Sequence, residues 1–180
     1  GENITDAQAI SQISVLNQDF RRLAGTPGGA NTTGLATDVE INFILAKRDP
    51  SGNPTNGINR VQTSIASYDN AGVETEKANT IWDPTKYLNM WTFRFGGDLD
   101  GVLGYAQFPS NSGLIGLDAD GGLASTDGVV ASYDAFGTIA ENDGTFILNG
   151  TYNLGRTMTH EVGHWLGLRH IWGDNETCPS

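Results

Sequence analysis

Cysteine, methionine and histidine are all scarce in these 180 residues: the sequence has one cysteine, two methionines and three histidines. The lone cysteine, Cys178, rules out a disulfide framework within the sequence. Its thiol is reactive, inert, or paired with a cysteine from elsewhere. Positive charge is also in short supply. Ten basic residues face 21 acidic ones, for a net charge of −11. That balance disfavours nucleic acid and anionic membranes as partners, since both need a basic surface. It suits a soluble extracellular protein, or one whose carboxylates bind cations, and plain solubility explains it equally well. No run of 18 apolar residues occurs, so no transmembrane helix is expected. No secretory leader opens the sequence, which leaves secretion open because mature secreted chains have lost theirs. Internal repeats and low-complexity linkers are absent too. The length suffices for one domain with a real core.

Patterning then sketches the elements. Thr5-Asp6-Ala7-Gln8 fits a capping box, with Thr5 at the N-cap and Gln8 reaching back. Ile10, Ile13, Leu16, Phe20 and Leu23 follow at helical spacing, and Gly25 supplies a stop. Alternation at residues 38–46, with Val39, Ile41, Phe43 and Leu45 on one side, predicts a strand. Residues 49–59 are turn chemistry. Further strands are predicted at 87–95, 102–108 and 128–133, and a last helix from near Arg156 to Gly167. A helix, several strands and a final helix make an α/β (α+β) class, a sheet with helices packed on it.

All three histidines lie in residues 160–170, HEVGHWLGLRH. His160 and His164 are four apart and share a helix face, so both imidazoles can reach one metal ion. Gly167 permits a left-handed turn that brings in His170. Three imidazoles with an open fourth position are the donor set of a catalytic zinc. Glu161, beside the ligands, is placed to act as general base on a water. Five fixed positions in this spacing arise by chance in about one in 10⁵ chains of this length. A closed structural zinc site would leave Glu161 without a role.

The extended pattern His-Glu-x-x-His-x-x-Gly-x-x-His is the metzincin signature. Its surroundings, GRTMT before it and IWGD after it, resemble the pappalysin family, in the style of its secreted bacterial and archaeal members. Further stretches look alike: QISVLNQDFRR at 12–22, residues 41–49 with Thr55-Asn56-Gly57-Ile58, YLNMW at 87–91, LGYAQFP at 103–109 and DGVV at 127–130. Ile171 differs from the residue typical of astacins, matrixins, reprolysins and serralysins. The resemblance implies a secreted zinc endopeptidase, with residues 1–180 forming the upper subdomain of the catalytic domain. That subdomain is a twisted, mostly parallel sheet of four to five strands with one antiparallel edge strand. The edge strand would be 102–108, with Gly104, Tyr105 and Ala106 binding a peptide or protein substrate strand-to-strand. A plain core strand is the other reading of LGYAQFP.

Calcium is a second cofactor that the resemblance implies, with Asp174 and Glu176 as candidate ligands. The loops Asp98-Leu99-Asp100-Gly101 and Asp118-Ala119-Asp120-Gly121 are rich in oxygen but lack EF-hand spacing. Relatives have a strand before the first helix and, after the zinc motif, a lower subdomain. There a methionine sits beneath the metal, and a later cysteine pairs with one near position 178. Met90 and Met158 both precede His160. The expected partner is therefore a missing or separately cleaved C-terminal segment of the same enzyme. Two other classes stay open: a catalytically inactive zinc protein that binds peptides or partners, and a zinc hydrolase of another substrate.

Overall fold

Thr5 is extended at φ −71° and ψ 158°, and its hydroxyl accepts a hydrogen bond from the Gln8 amide at 3.1 Å. This N-cap starts helix α1, Asp6–Phe20, in the computed structural model, which describes residues 2–109 and 121–170. Helix α2 spans Asn70–Thr80 and helix α3 spans Arg156–Trp165. Between them run strands β1 (Met90–Phe93), β2 (Gly104–Ala106) and β3 (Val129–Ser132). Among the described residues, no helix is long and apolar enough to cross a membrane.

The reciprocal half of the capping box does not form, because Gln8 is used elsewhere. Its fully buried side-chain amide donates to the carbonyls of Tyr133, Phe136 and Ile147, and its Oε1 accepts from Ile147 N. Gln12 Oε1 accepts from Gly137 N, Gln12 Nε2 donates to the Gly155 carbonyl, and Ser11 Oγ accepts from Thr138 N. The buried stripe of α1 is therefore Gln8, Ala9, Ser11, Gln12, Val15 and Leu16. Two members of the expected apolar face, Ile10 and Leu23, are 52% and 51% exposed. The cause lies in residues 133–155, which run without a strand ladder. Their main-chain groups still need partners when buried, and glutamine offers donor and acceptor together where leucine offers neither. Replacing Gln8 with Leu should accordingly cost about 3 kcal/mol in urea unfolding, because several buried groups lose their partner. Ile10→Ala should cost well under half as much.

The sheet has the order β1-β3-β2. β1 is parallel to β3, with Met90 opposite Val129 and Phe93 opposite Ser132. β2 is antiparallel to β3, with Gly104, Tyr105 and Ala106 opposite Ala131, Val130 and Val129. The mixed α/β architecture is as expected; among the described residues the sheet has three strands where four to five were expected, each shorter than its predicted range. The strand expected at 38–46 is absent because α1 takes its hydrogen bonds. Asn17 accepts from Phe43 N at 2.7 Å and donates to Phe43 O at 2.9 Å. Arg21 grips both Asp38 oxygens, and Glu40 turns into the left-handed region at φ 60°, which breaks an extended run. Helix α2 was not legible from the sequence, since only Val73 and Lys77 of its residues are buried. Its first turn is capped by Asp69, and Asn70 N donates to Asp98 Oδ1.

β3 alternates between two cores, as a central strand must. Val129 and Ala131 pack with Leu16, Phe136, Met158 and Val162 on the side of α1 and α3. Val130 joins Tyr68, Val73 and Leu99 on the side of α2. Helix α3 starts at Gly155, whose φ of 73° suits glycine, and a Cβ there would lie 3.0 Å from Val15 Cγ2. Asp19 of α1 bonds both Arg156 Nε (2.8 Å) and Thr159 Oγ1 (2.7 Å), and Trp165 Nε1 donates to Asp127 Oδ1 at 2.7 Å. The helix is thus held at its start by α1 and at its end by the segment that leads into β3.

Candidate active site

His160 and His164 stand one turn apart on the face of α3. After Trp165 the chain reverses at Gly167, φ 96°. Leu168 N donates to Gly163 O at 3.0 Å and Gly167 N to His164 O at 2.8 Å, the paired bonds of a Schellman cap. This reversal carries His170 back to the other two. The three Nε2 atoms then lie 2.9 Å (160–164), 3.0 Å (160–170) and 3.1 Å (164–170) apart. His164 Nδ1 lies 2.7 Å from the Leu168 carbonyl, so it carries the proton and leaves Nε2 as a lone pair. Burial, then the neighbouring imidazoles, hold His160 below the ordinary imidazole range, which favours its neutral form. Three nitrogens this close cannot all be satisfied by shared protons. One cation about 2 Å from each would satisfy them, which is the ordinary metal–imidazole distance. The donor set therefore fits a divalent metal. Beside it lies a cavity of about 520 Å³ lined by Phe20, Val39, Gly163 and Leu168 among others.

Glu161 lies beneath the sheet, within electrostatic reach of His170, and is only 7% exposed. Burial pushes its carboxyl up to about 7, with His170 acting in the opposite direction. Its nearest roof is β2. A Cβ built on Gly104 would stand 3.0 Å from Glu161 Cγ, 3.0 Å from Thr157 Cγ2 and 2.8 Å from the Val130 carbonyl. Glycine is what allows the strand to lie this close to the helix.

The outer edge of β2 follows from its register. Ser132 N donates to Leu103 O and Gln107 N to Gly128 O, so positions 103 and 107 face β3. Tyr105, of the same parity and opposite Val130, faces β3 as well. Gly104 and Ala106 therefore turn their N–H and C=O groups toward the side away from β3. Among the described residues no strand pairs there.

Residues 37–171 match the Metallo-peptidase family M12B, Reprolysin-like. The chain belongs to this metallopeptidase family. Its fold resembles that of mature mirolysin of Tannerella forsythia in complex with a cleaved peptide, with 44% identity and a TM-score of 0.76, over 96% of this chain and 60% of that one. Sequence relatives include extracellular metalloproteases of Neurospora crassa, 35% identical over 95% of this chain and 54% of the relative, and of Verticillium alfalfae, 31% identical over 94% and 45%. The chain spans about half the length of the curated relatives it matches.

Of the other expected site residues, Tyr105 is described and the calcium candidates are not. Tyr105 sends its ring to the α2 side, away from the histidines, where its hydroxyl donates to Glu74 Oε1 at 2.8 Å. Asp98 caps α2 as described, while residues 118–120 and the calcium candidates Asp174 and Glu176 lie outside the described residues, as does Cys178. Phe108 was not singled out from the sequence. Its ring centroid lies 5.4 Å from that of His164, at the end of the extended run that begins with β2. Its place in LGYAQFP, two residues past the last strand position and before Pro109, was the available signal. Asp127 was quoted only for its likeness to relatives, and its task is to hold Trp165 at the end of α3.

Proposed function

We propose that this chain carries the catalytic centre of a secreted zinc endopeptidase, pappalysin-like within the metzincin group, with residues 1–180 as its upper subdomain. His160, His164 and His170 are the zinc ligands. Zinc bound there would supply Lewis-acid polarisation of the scissile carbonyl and acidify a water. Glu161 takes the proton of the attacking water and delivers it to the leaving amine; its burial supports this role by bringing its proton affinity near neutrality. Gly104 and Ala106 bond the substrate main chain as an added antiparallel strand, and Tyr105 holds the strand from behind. Phe108 limits how far the His164 ring can tilt. Secretion is supported by the extracellular relatives, and calcium at Asp174 and Glu176 follows the pappalysin resemblance.

The observation that carries this reading is the convergence of three Nε2 atoms within 3.1 Å, on the helix that also presents Glu161 to the edge strand. The test is metal analysis together with cleavage of a denatured protein mixture. One zinc per chain is expected, with cleavage lost to a chelator and restored by added zinc. Cleavage indifferent to chelator would overturn the reading.

A further inference from the structure

The face of β2 turned away from the histidines rests on a buried charge that the reaction above does not use. Lys77, on α2, is 1% exposed. Its Nζ donates to Glu74 Oε1 at 2.8 Å and lies 5.3 Å from the ring centroid of Tyr105 and 5.6 Å from that of Trp91. The same Glu74 oxygen accepts from the Tyr105 hydroxyl. One carboxylate oxygen thus gathers an ammonium and a phenol, and the phenol belongs to the middle residue of β2. Burial, then Glu74, raise the Tyr105 hydroxyl well above the ordinary phenol range, so it remains a donor.

Burying the lysine end of an ion pair is a poor way to gain stability, because well-packed apolar residues often serve as well. Its geometry is nevertheless specific. Tyr105 also stacks on Phe95, with centroids 6.3 Å apart. Its main chain is turned to β3, while its neighbours Gly104 and Ala106 are turned to the open edge. Fixing Tyr105 in position therefore fixes the height and twist of the two residues that flank it.

We propose that Glu74, Lys77 and Tyr105 form a latch from α2 that positions β2 for main-chain bonding to the substrate. The latch rests on the reading of β2 as the substrate-binding strand. Its members are positioning residues, since none reaches the histidine side of the sheet.

Tyr105→Phe removes the hydroxyl alone. In the zinc-loaded protein, KM for a peptide extending several residues on both sides of the cut should rise about fivefold, with kcat changed less than about twofold, as expected from one lost hydrogen bond. A dipeptide amide, which makes few strand contacts, should show no rise in KM. A merely structural role would instead lower the melting temperature and the active fraction, reducing kcat and leaving KM alone. Amide exchange gives a second readout. Gln107 N, bonded to Gly128 O, should exchange faster in the variant while the α3 amides do not. Should Tyr105→Phe fail to fold, Glu74→Gln keeps an acceptor for the phenol and removes the charge, and the same rise in KM is expected. Unchanged KM in an active wild-type background overturns the latch. A wild-type protein that cleaves no peptide overturns the proposed function instead. The exchange at Gln107 then decides the latch: faster exchange supports it and equal exchange overturns it.

Discussion

Glu161→Ala should reduce kcat/KM on a peptide substrate by about a thousandfold, the range lost when a positioned general base is removed, while metal content stays at one per chain. The two effects separate because the ligand set is complete without it. Three imidazole nitrogens converge on one point, and His164 is oriented by the Leu168 carbonyl, independently of Glu161. Glu161→Gln is the sharper variant. It keeps the volume against Gly104 and removes only the capacity to take a proton, so its activity should fall nearly as far. Neither variant should unfold the domain. The wild-type carboxyl is buried at a cost, shown by its raised proton affinity, and a neutral amide or a methyl escapes that cost. Near-wild-type turnover in Glu161→Gln would remove the base assignment. Loss of metal would make Glu161 a ligand or a support for one.

The convergence of the three histidines was legible because every part of it is local. Helical spacing brings His160 to His164, and a single left-handed glycine brings back His170, with no long-range contact required. The Thr5 cap was legible for the same reason. Gln8 was not, since its side chain can serve either a capping box or a distant loop. The choice depends on the carbonyls of Tyr133, Phe136 and Ile147, more than 120 residues away. The strand read at 38–46 shows the reverse failure. Its alternation is real, but a strand needs a partner edge, and Asn17 of α1 and Arg21 at its C-cap reach this segment instead. Helix α2 escaped notice because the residue it buries beside Val73 is a lysine, which by itself reads as surface. LGYAQFP was legible as a strand over the site. Which of its residues face outward was not, because that parity is set by Tyr105 pairing with Val130, a fact of register.

The same register makes Gly104 a sensitive position outside the histidine motif. Gly104→Val should lower kcat/KM by about a hundredfold with metal retained, the scale expected when catalytic groups shift by about 1 Å. Even the first added carbon would stand 2.8 Å from the Val130 carbonyl, a main-chain atom of the central strand that cannot move aside. It would also meet Glu161 Cγ and Thr157 Cγ2, each at 3.0 Å. Two responses are available. Glu161 can swing away from the roof, which moves the base, or β2 can lift from the helix, which moves the substrate edge. Both reduce turnover, and neither clashes with a histidine, since the atoms that the added carbon meets belong to Val130, Glu161 and Thr157. Gly104→Ala should fall between the wild type and Val, at about a tenfold loss, since overpacking by one carbon costs on the order of 1–3 kcal/mol. Thr157→Ser, which can remove one of the three contacts, should recover only part of the Ala loss, because the Val130 carbonyl remains. The measurements are kcat/KM, metal content and far-UV circular dichroism for each variant. Unaltered kcat/KM in Gly104→Val would mean that β2 does not need to sit against Glu161, and the placement of substrate along this strand would have to be given up.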